Sequence, residues 1–505
     1  MHPLKILSVS MLLAYASYAM ADPSSNSGLE SQPMSFQATY QQYNMPNDLQ
    51  PLGTVTLEGL VNFTPNWYGG MGVDNGVSGG HSGYFALNFE GGYQHPIVGP
   101  IWIDLGSKVG AGGGHQTPVG SGLFYQPYAG LSYHFTHFNL GLDYTYVNFP
   151  SGSIHSSQAE LVLTVPFTFD YGNASLAGTP FDTSGHSLAM GRDYFGLVGE
   201  AYFPASNVTN TSDQIDAGNI QLVGVEMGHY FTTHAFGFIQ GTGAVHGHSN
   251  GYAALIVGPG YEIPVLNSVS LVGKLGVGSG GGAGINTGGG FIVEPTLGVD
   301  VLLTPSFSAE LDGGYLDAPD GTFNAAVMSL ILKYRFDNAY LADTGSSSVP
   351  SQLTYQGWRV RVLNETYFNP ARTNSNSSAI QLANVNLDYN LNHYFYLTGQ
   401  SAFAYSGYQV GGYFSGMIGG GVQLPIYHNS PVAVFAEALG GAAGGAGLDI
   451  GDGAMLEPLV GLNDQVTSSW GLQASVGRLI SVQGGFGSTV MNAGVSYSFS
   501  TLSGR

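Results

Sequence analysis

The sequence predicts an all-β protein whose antiparallel up-and-down strands close into a transmembrane barrel. Three observations predict it. Only 9% of the 505 residues are charged, yet 43% are hydrophobic and 12% aromatic, with 78 glycines and 31 tyrosines. Strictly alternating stretches recur along the chain, each of about 10 to 14 residues, close to the ~9–11 residues that a tilted strand needs to cross a bilayer. The third observation is a repeat of the whole pattern, three times, with a spacing of roughly 165 residues.

In chain order, the first element is a targeting segment. Lys5 precedes an apolar run from Ile6 to about Ala19, and Ala19-Met20-Ala21 has the small-x-small form of a signal-peptidase site. The run is too short to span ~30 Å of hydrocarbon, so residues 1–21 read as a cleaved secretory signal. There is no Cys, which excludes a disulfide framework and every thiolate metal site. After the signal no apolar stretch approaches the length of a membrane helix. Secretion, few charges and abundant Gly and Tyr are together the composition of a bacterial outer-membrane barrel. Eleven basic residues, scattered over a chain of net charge −21, form no nucleic-acid patch.

The repeat organises the rest. Strands ending in an aromatic pair occur as LTVPFTF (163–169), LILKYRF (330–336) and AGVSYSF (493–499). About 40 residues before each lies a Gln/Glu-Pro-x-x-Gly signature: Gln126-Pro127 with Gly130, Glu294-Pro295 with Gly298, Glu457-Pro458 with Gly461. A glycine tract precedes each signature, and Pro96-Ile97, Pro264-Val265 and Pro425-Ile426 precede the tracts. The units open with QQYNMP, GEAYFP and NETYFNP. The expected division is 33–171, 194–337 and 357–500, each of eight strands, with linkers at 172–193 and 338–356. Short turns such as Thr64-Pro65-Asn66 and Thr304-Pro305-Ser306 alternate with longer Gly/Ser/Asn loops, the pattern of periplasmic turns and outer loops.

On these residues the chain resembles, unit by unit, the small eight-stranded outer-membrane barrels of the OmpA/OmpX type. The resemblance lies in strand count, pattern and terminal strand, and it covers nearly all of the mature chain. Two departures stand out. Pro166 interrupts the last strand of the first unit, and the chain runs six residues past Phe499. One 24-stranded barrel is the alternative closure; the linker-like segments and the separate closing strands favour three small ones.

Strand parity sorts the charges. With Leu330, Leu332, Tyr334 and Phe336 facing lipid, Lys333 and Arg335 face inward; the same rule turns Lys274, Glu294, Asp300, Glu310 and Asp312 inward. Asp104, Lys108, Asp143 and Glu160 take the inner face in the first unit. In the third, Arg359 and Arg361 do so, with Glu437 and Glu457 as expected partners. A Lys or Arg facing lipid at the midplane costs ~2–4 kcal/mol, whereas a paired charge in a narrow lumen is tolerated.

No constellation satisfies catalysis. In HGHSNG, His248 and Ser249 are adjacent and would point to opposite faces, and His246 and Ser249 are three apart; a strand needs a spacing of two for a His to activate a Ser. His246-x-His248 lacks a third metal ligand. Gly276-x-Gly278-x-x-Gly281 has no helix to open, so it is not a dinucleotide site. The sequence therefore implies an outer-membrane barrel protein without cofactor, metal or catalytic residues. Outer-membrane lipid, lipopolysaccharide and the barrel-assembly machinery are its expected partners, and its surface ligand is undefined. A structural or adhesion-like role stands first, a passive porin-like channel second, and lipid hydrolysis third.

Overall fold

A computed structural model describes residues 28–504 except 48, 115–116, 184–185, 217, 248, 342–352, 372–377 and 428–429. The expected signal segment and most of the second linker lie outside the described residues.

The first eight strands are β1 (Leu29–Tyr43), β2 (Leu52–Asn62), β3 (Trp67–Ser78), β4 (Phe85–Val98), β5 (Ile101–Gly113), β6 (Leu123–His134), β7 (Asn139–Asn148) and β8 (His155–Asn173). A short β9 (Pro180–Phe181) follows. The second set is β10 (Leu188–Pro204), β11 (Ile220–Tyr230), β12 (Ala235–His246), β13 (Ala253–Leu266), β14 (Val269–Gly281), β15 (Phe291–Thr304), β16 (Phe307–Asp317) and β17 (Asn324–Leu341). The third is β18 (Leu353–Phe368), β19 (Ile380–Asn390), β20 (Phe395–Ser406), β21 (Phe414–Pro425), β22 (Val432–Gly444), β23 (Ala454–Gln465), β24 (Trp470–Ser481) and β25 (Gly487–Gly504).

All belong to one connected antiparallel sheet of 25 strands, a barrel-type all-β fold. Within it the ladder returns on itself three times. β1 pairs with β8 from Leu29↔Gly172 to Gln41↔Glu160. β10 pairs with β17 from Leu188↔Leu341 to Pro204↔Ala325, and β18 with β25 from Leu353↔Gly504 to Phe368↔Thr489. Closure leaves each eight-stranded ladder without a free edge. Pro166 sits inside β8 opposite Ser35 and brings no N–H to the strand.

The expected linkers are partly strand. Residues 338–341 continue β17, 353–356 open β18, and β9 pairs with Leu353 and Thr354. The six residues past Phe499 have a role as well: β25 runs on to Gly504 and pairs with Asp337–Ala339 of β17. At the turn end these extensions of first and last strands meet as a small stalk. Its buried core joins Leu29, Phe181, Leu188, Ala339, Leu353, Tyr355 and Leu502.

At the loop end the three rings touch in cyclic order. β3 packs on β14 and β15, β11 and β12 on β22 and β23, and β20 on β5 and β6. Glycines make this approach. A Cβ on Gly83 would lie 2.5 Å from Gly282 N, one on Gly444 2.0 Å from Gly251 Cα, and one on Gly113 2.8 Å from Gly412 N. Beneath this collar the axis is filled by Phe85, Leu87, Ala253 and Phe403.

The pairing predicts a crosslink. Ala38 and Leu163 are cross-strand partners on the outer face, and the chain has no native Cys to interfere. Oxidation of an A38C/L163C variant is expected to give an intramolecular disulfide, seen as a non-reducing gel shift. A ring that paired β1 with β25 instead would keep the two thiols free.

Candidate functional site

Alternation fixes what fills each ring, because successive side chains point to opposite faces. In β18, Arg359, Arg361, Leu363, Glu365 and Tyr367 are all buried, while Trp358, Val360, Val362 and Asn364 between them are half-buried on the outer face. The loop half of each lumen is an apolar core. It contains an edge-on tyrosine pair in every unit: Tyr43–Tyr84, Tyr202–Tyr252 and Tyr367–Tyr413, with ring centroids 6.4, 6.0 and 5.9 Å apart.

Below the tyrosines the lumens carry charge. In the first, Lys108 Nζ lies 3.2 Å from both Glu58 Oε1 and Glu160 Oε1 and 4.0 Å from Glu90 Oε2. Tyr68 donates to Asp104 Oδ1 at 2.7 Å, and Asp143 is buried against Gly130. In the second, Lys274 Nζ reaches Glu226 at 3.1 Å and Glu310 and Asp312 at 2.8 Å each. Lys333 pairs with Glu310, and Arg335 reaches Asp300 at 3.1 Å and Glu262 at 3.5 Å. Tyr202 donates to Glu294 Oε2 at 3.4 Å. In the third, Asp388 receives both Arg359 Nε (2.6 Å) and Arg361 Nη2 (2.8 Å), and Arg361 Nη1 lies 2.7 Å from Glu437.

The structure thus brings the inward-parity residues together within each ring. The expected pairing of the two arginines needs one correction: Asp388, on the adjacent strand β19, is their shared partner, and Glu457 instead accepts from Gln400 at 3.3 Å. Sequence reasoning also missed Glu58, Glu90, Glu226 and Glu262. Each sits at inner parity on its strand, so the signal was there.

The Gln/Glu-Pro-x-x-Gly signature now has a cause in two units. A Cβ on Gly130 would sit 1.9 Å from Asp143 Oδ1, and one on Gly298 1.8 Å from Asp312 Oδ1. The signature glycine makes room for the next strand's carboxylate.

The loop face has its own cavity, about 580 Å³, on the axis where the three units meet. Gly83, Asn210, Asn250, Gly282, Phe414 and Gly445 are among its lining. Phe414 packs on Phe85 and Phe403, each pair with ring centroids 5.9 Å apart. Nearby, His246 Nδ1 lies 2.9 Å from Asp452 Oδ2, bridging the second and third units. Ser249 Oγ donates to the Gly247 carbonyl at 2.9 Å, so it does not engage His246; His248 lies outside the described residues. Among the described residues no group of three or more His, Asp or Glu is placed to hold a metal. Gly276, Gly278 and Gly281 lie on strand β14.

No protein-family profile and no curated protein matches the chain. Solved structures do match. The siderophore receptor PirA from Acinetobacter baumannii matches at TM-score 0.28 and 10% identity, over 93% of this chain and 80% of that one. OccK9 (OpdG) from Pseudomonas aeruginosa matches at TM-score 0.22 and 10% identity, over 94% and 98%. OccAB3 from Acinetobacter baumannii matches at 0.21 and 10%, over 93% and 99%. The resemblance to small OmpA/OmpX-type barrels is corrected accordingly: the solved structures that match include siderophore receptors and Occ proteins, and a chain of 25 strands is not a small barrel. Ladder closure at every eighth strand is local geometry and does not define kinship.

Two outcomes follow. Lys274→Met removes the cation shared by Glu226, Glu310 and Asp312, leaving Lys333 on Glu310, and is expected to cost about 3–5 kcal/mol, read as a lower urea midpoint of the heat-modifiable gel band. Gly444→Val places side-chain atoms in the backbone of Gly251. Limited proteolysis of the 445–453 loop is expected to speed up while the lumen networks stay intact.

Proposed function

We propose that the chain is an integral outer-membrane β-barrel protein. The observation that carries this is the outer surface. Strands far from the axis expose aliphatic bands bounded by aromatics. Examples are Phe307, Leu311 and Tyr315 along β16, and Phe138, Leu140, Leu142 and Tyr144 along β7 into its turn. Aromatic girdles around an apolar band are the lipid-facing pattern of such barrels. Delivery by residues 1–21, insertion by the barrel-assembly machinery, and lipid and lipopolysaccharide as neighbours belong to this reading, with the long loops outside. Each ring of eight strands is one barrel unit, and the inward charges are the packing of its lumen.

Within that class we favour a porin-like role over a purely structural one. An eight-stranded ring has room only for its side chains, and here ion networks and tyrosine pairs occupy that room. A solute path therefore lies on the axis between the rings. It enters by the loop-face cavity and is closed beneath it by Phe85, Phe403 and Phe414. No catalytic step is part of this reading.

Planar-bilayer recording tests it. The wild type is expected to show small or rare conductance. A variant with Ala at Phe85, Phe403 and Phe414 is expected to conduct at least several-fold more, and Lys333→Met in a lumen is expected to change little. A folded triple variant that stays silent would remove the channel role and leave anchoring with surface recognition by the loops.

A further inference from the structure

The turn-end mouth of the third barrel unit differs from its counterpart in the second, and the internal repeat shows how. Aligning the units on Pro264/Pro425, on the Glu-Pro signature and on the closing aromatic pair matches three positions. In the second unit they are Glu262, Asp300 and Arg335, joined by the ion pairs of 3.5 and 3.1 Å. In the third they are Gln423, Asn463 and Ser498. Both carboxylates have become amides of nearly the same shape. The guanidinium that lay between them has become a hydroxymethyl.

Gln423 and Asn463 line a cavity of about 470 Å³ at this mouth. His393, Gln423, Ser430, Asn463, Gln465 and Ser468 line it, drawn from three turns and the strand ends beside them. Asn463 is 6% exposed, and its Oδ1 accepts no hydrogen bond. Its cross-strand partner Gln473 is 5% exposed, with Oε1 equally unpaired. A buried acceptor left in this state is costly, so the mouth favours a guest that donates hydrogen bonds. The nearby cation is already engaged. Arg359 gives Nε to Asp388 and Nη1 to Gln423 Oε1 at 3.1 Å, with its face over Tyr396. A charged guest would meet no free counter-charge among these lining residues.

We propose that this mouth is a binding site for a small neutral molecule bearing hydroxyl and amide groups, with Asn463 as the buried acceptor that orients it. The site opens on the turn side and is separate from the loop-face cavity. The first unit is filled differently at this level. There Ser132 contacts His134 at 3.1 Å, His134 stacks on Trp102, and the Tyr68–Tyr128 hydroxyl pair at 2.5 Å fills the level below.

The test uses N-acetylglucosamine, which is neutral and carries both groups, with the full chain in an amine-oxide detergent free of sugar headgroups. Saturation-transfer NMR and calorimetry are expected to report binding at millimolar or lower concentration. A Q423E/N463D/S498R variant, which transplants the second unit's trio, is expected to weaken binding at least tenfold. Ser468→Trp, on the exposed rim, serves the same purpose without touching the buried trio, should the triple variant lose its heat-modifiable gel shift. Absence of saturation transfer to the wild type, or equal affinity in a folded variant, overturns the site and leaves a water-filled mouth only. Neither result bears on axial conductance, which is measured independently.

Discussion

An open sheet edge exposes a row of unpaired N–H and C=O groups, and only a ladder that closes on itself removes it. The rest of this molecule depends on that constraint. It makes β8, β17 and β25 return to β1, β10 and β18. A ring of eight is narrow, so its interior must be filled by side chains. Alternation then sends one residue in two into that interior, and the same alternation puts Leu, Val and Tyr outside.

Filling a narrow interior with charge is costly unless each charge is compensated. The units place their compensating cations on different strands. The first uses one lysine from β5, the second two lysines and an arginine from β14 and β17, and the third two arginines from β18. The tyrosine pairs above the charges keep their positions in all three. Packing at the loop end is held constant while electrostatics below it is rearranged.

Much of this was legible in the sequence because the period of a strand is two. LILKYRF alone separates Lys333 and Arg335 from Leu332 and Tyr334, and the separation survives in the structure. Pairing partners were harder to read. Parity says that Arg359 faces inward but not that β19 brings Asp388 beside it, because register between strands depends on turns whose geometry is not written in alternation. The stalk was hidden for another reason. Leu188, Ala339, Leu353 and Leu502 fall in stretches that read as polar linkers or as a tail, and only the meeting of three strand pairs gives them a core. The collar glycines were visible as tracts, but their contact partners lie in other units. Family resemblance was the least secure inference, since strand count and an aromatic ending are shared by barrels of many kinds.

The three rings are joined in one chain, and this has a genetic consequence. In an assembly of identical subunits, any substitution appears at every symmetric position at once, so a change that opens one mouth opens them all. Here Ser498 stands where the second unit has Arg335, and the second unit keeps its ion cluster. Separate encoding therefore lets one ring change alone, while the close approaches at Gly83, Gly113 and Gly444 leave no room for a side chain around the axis.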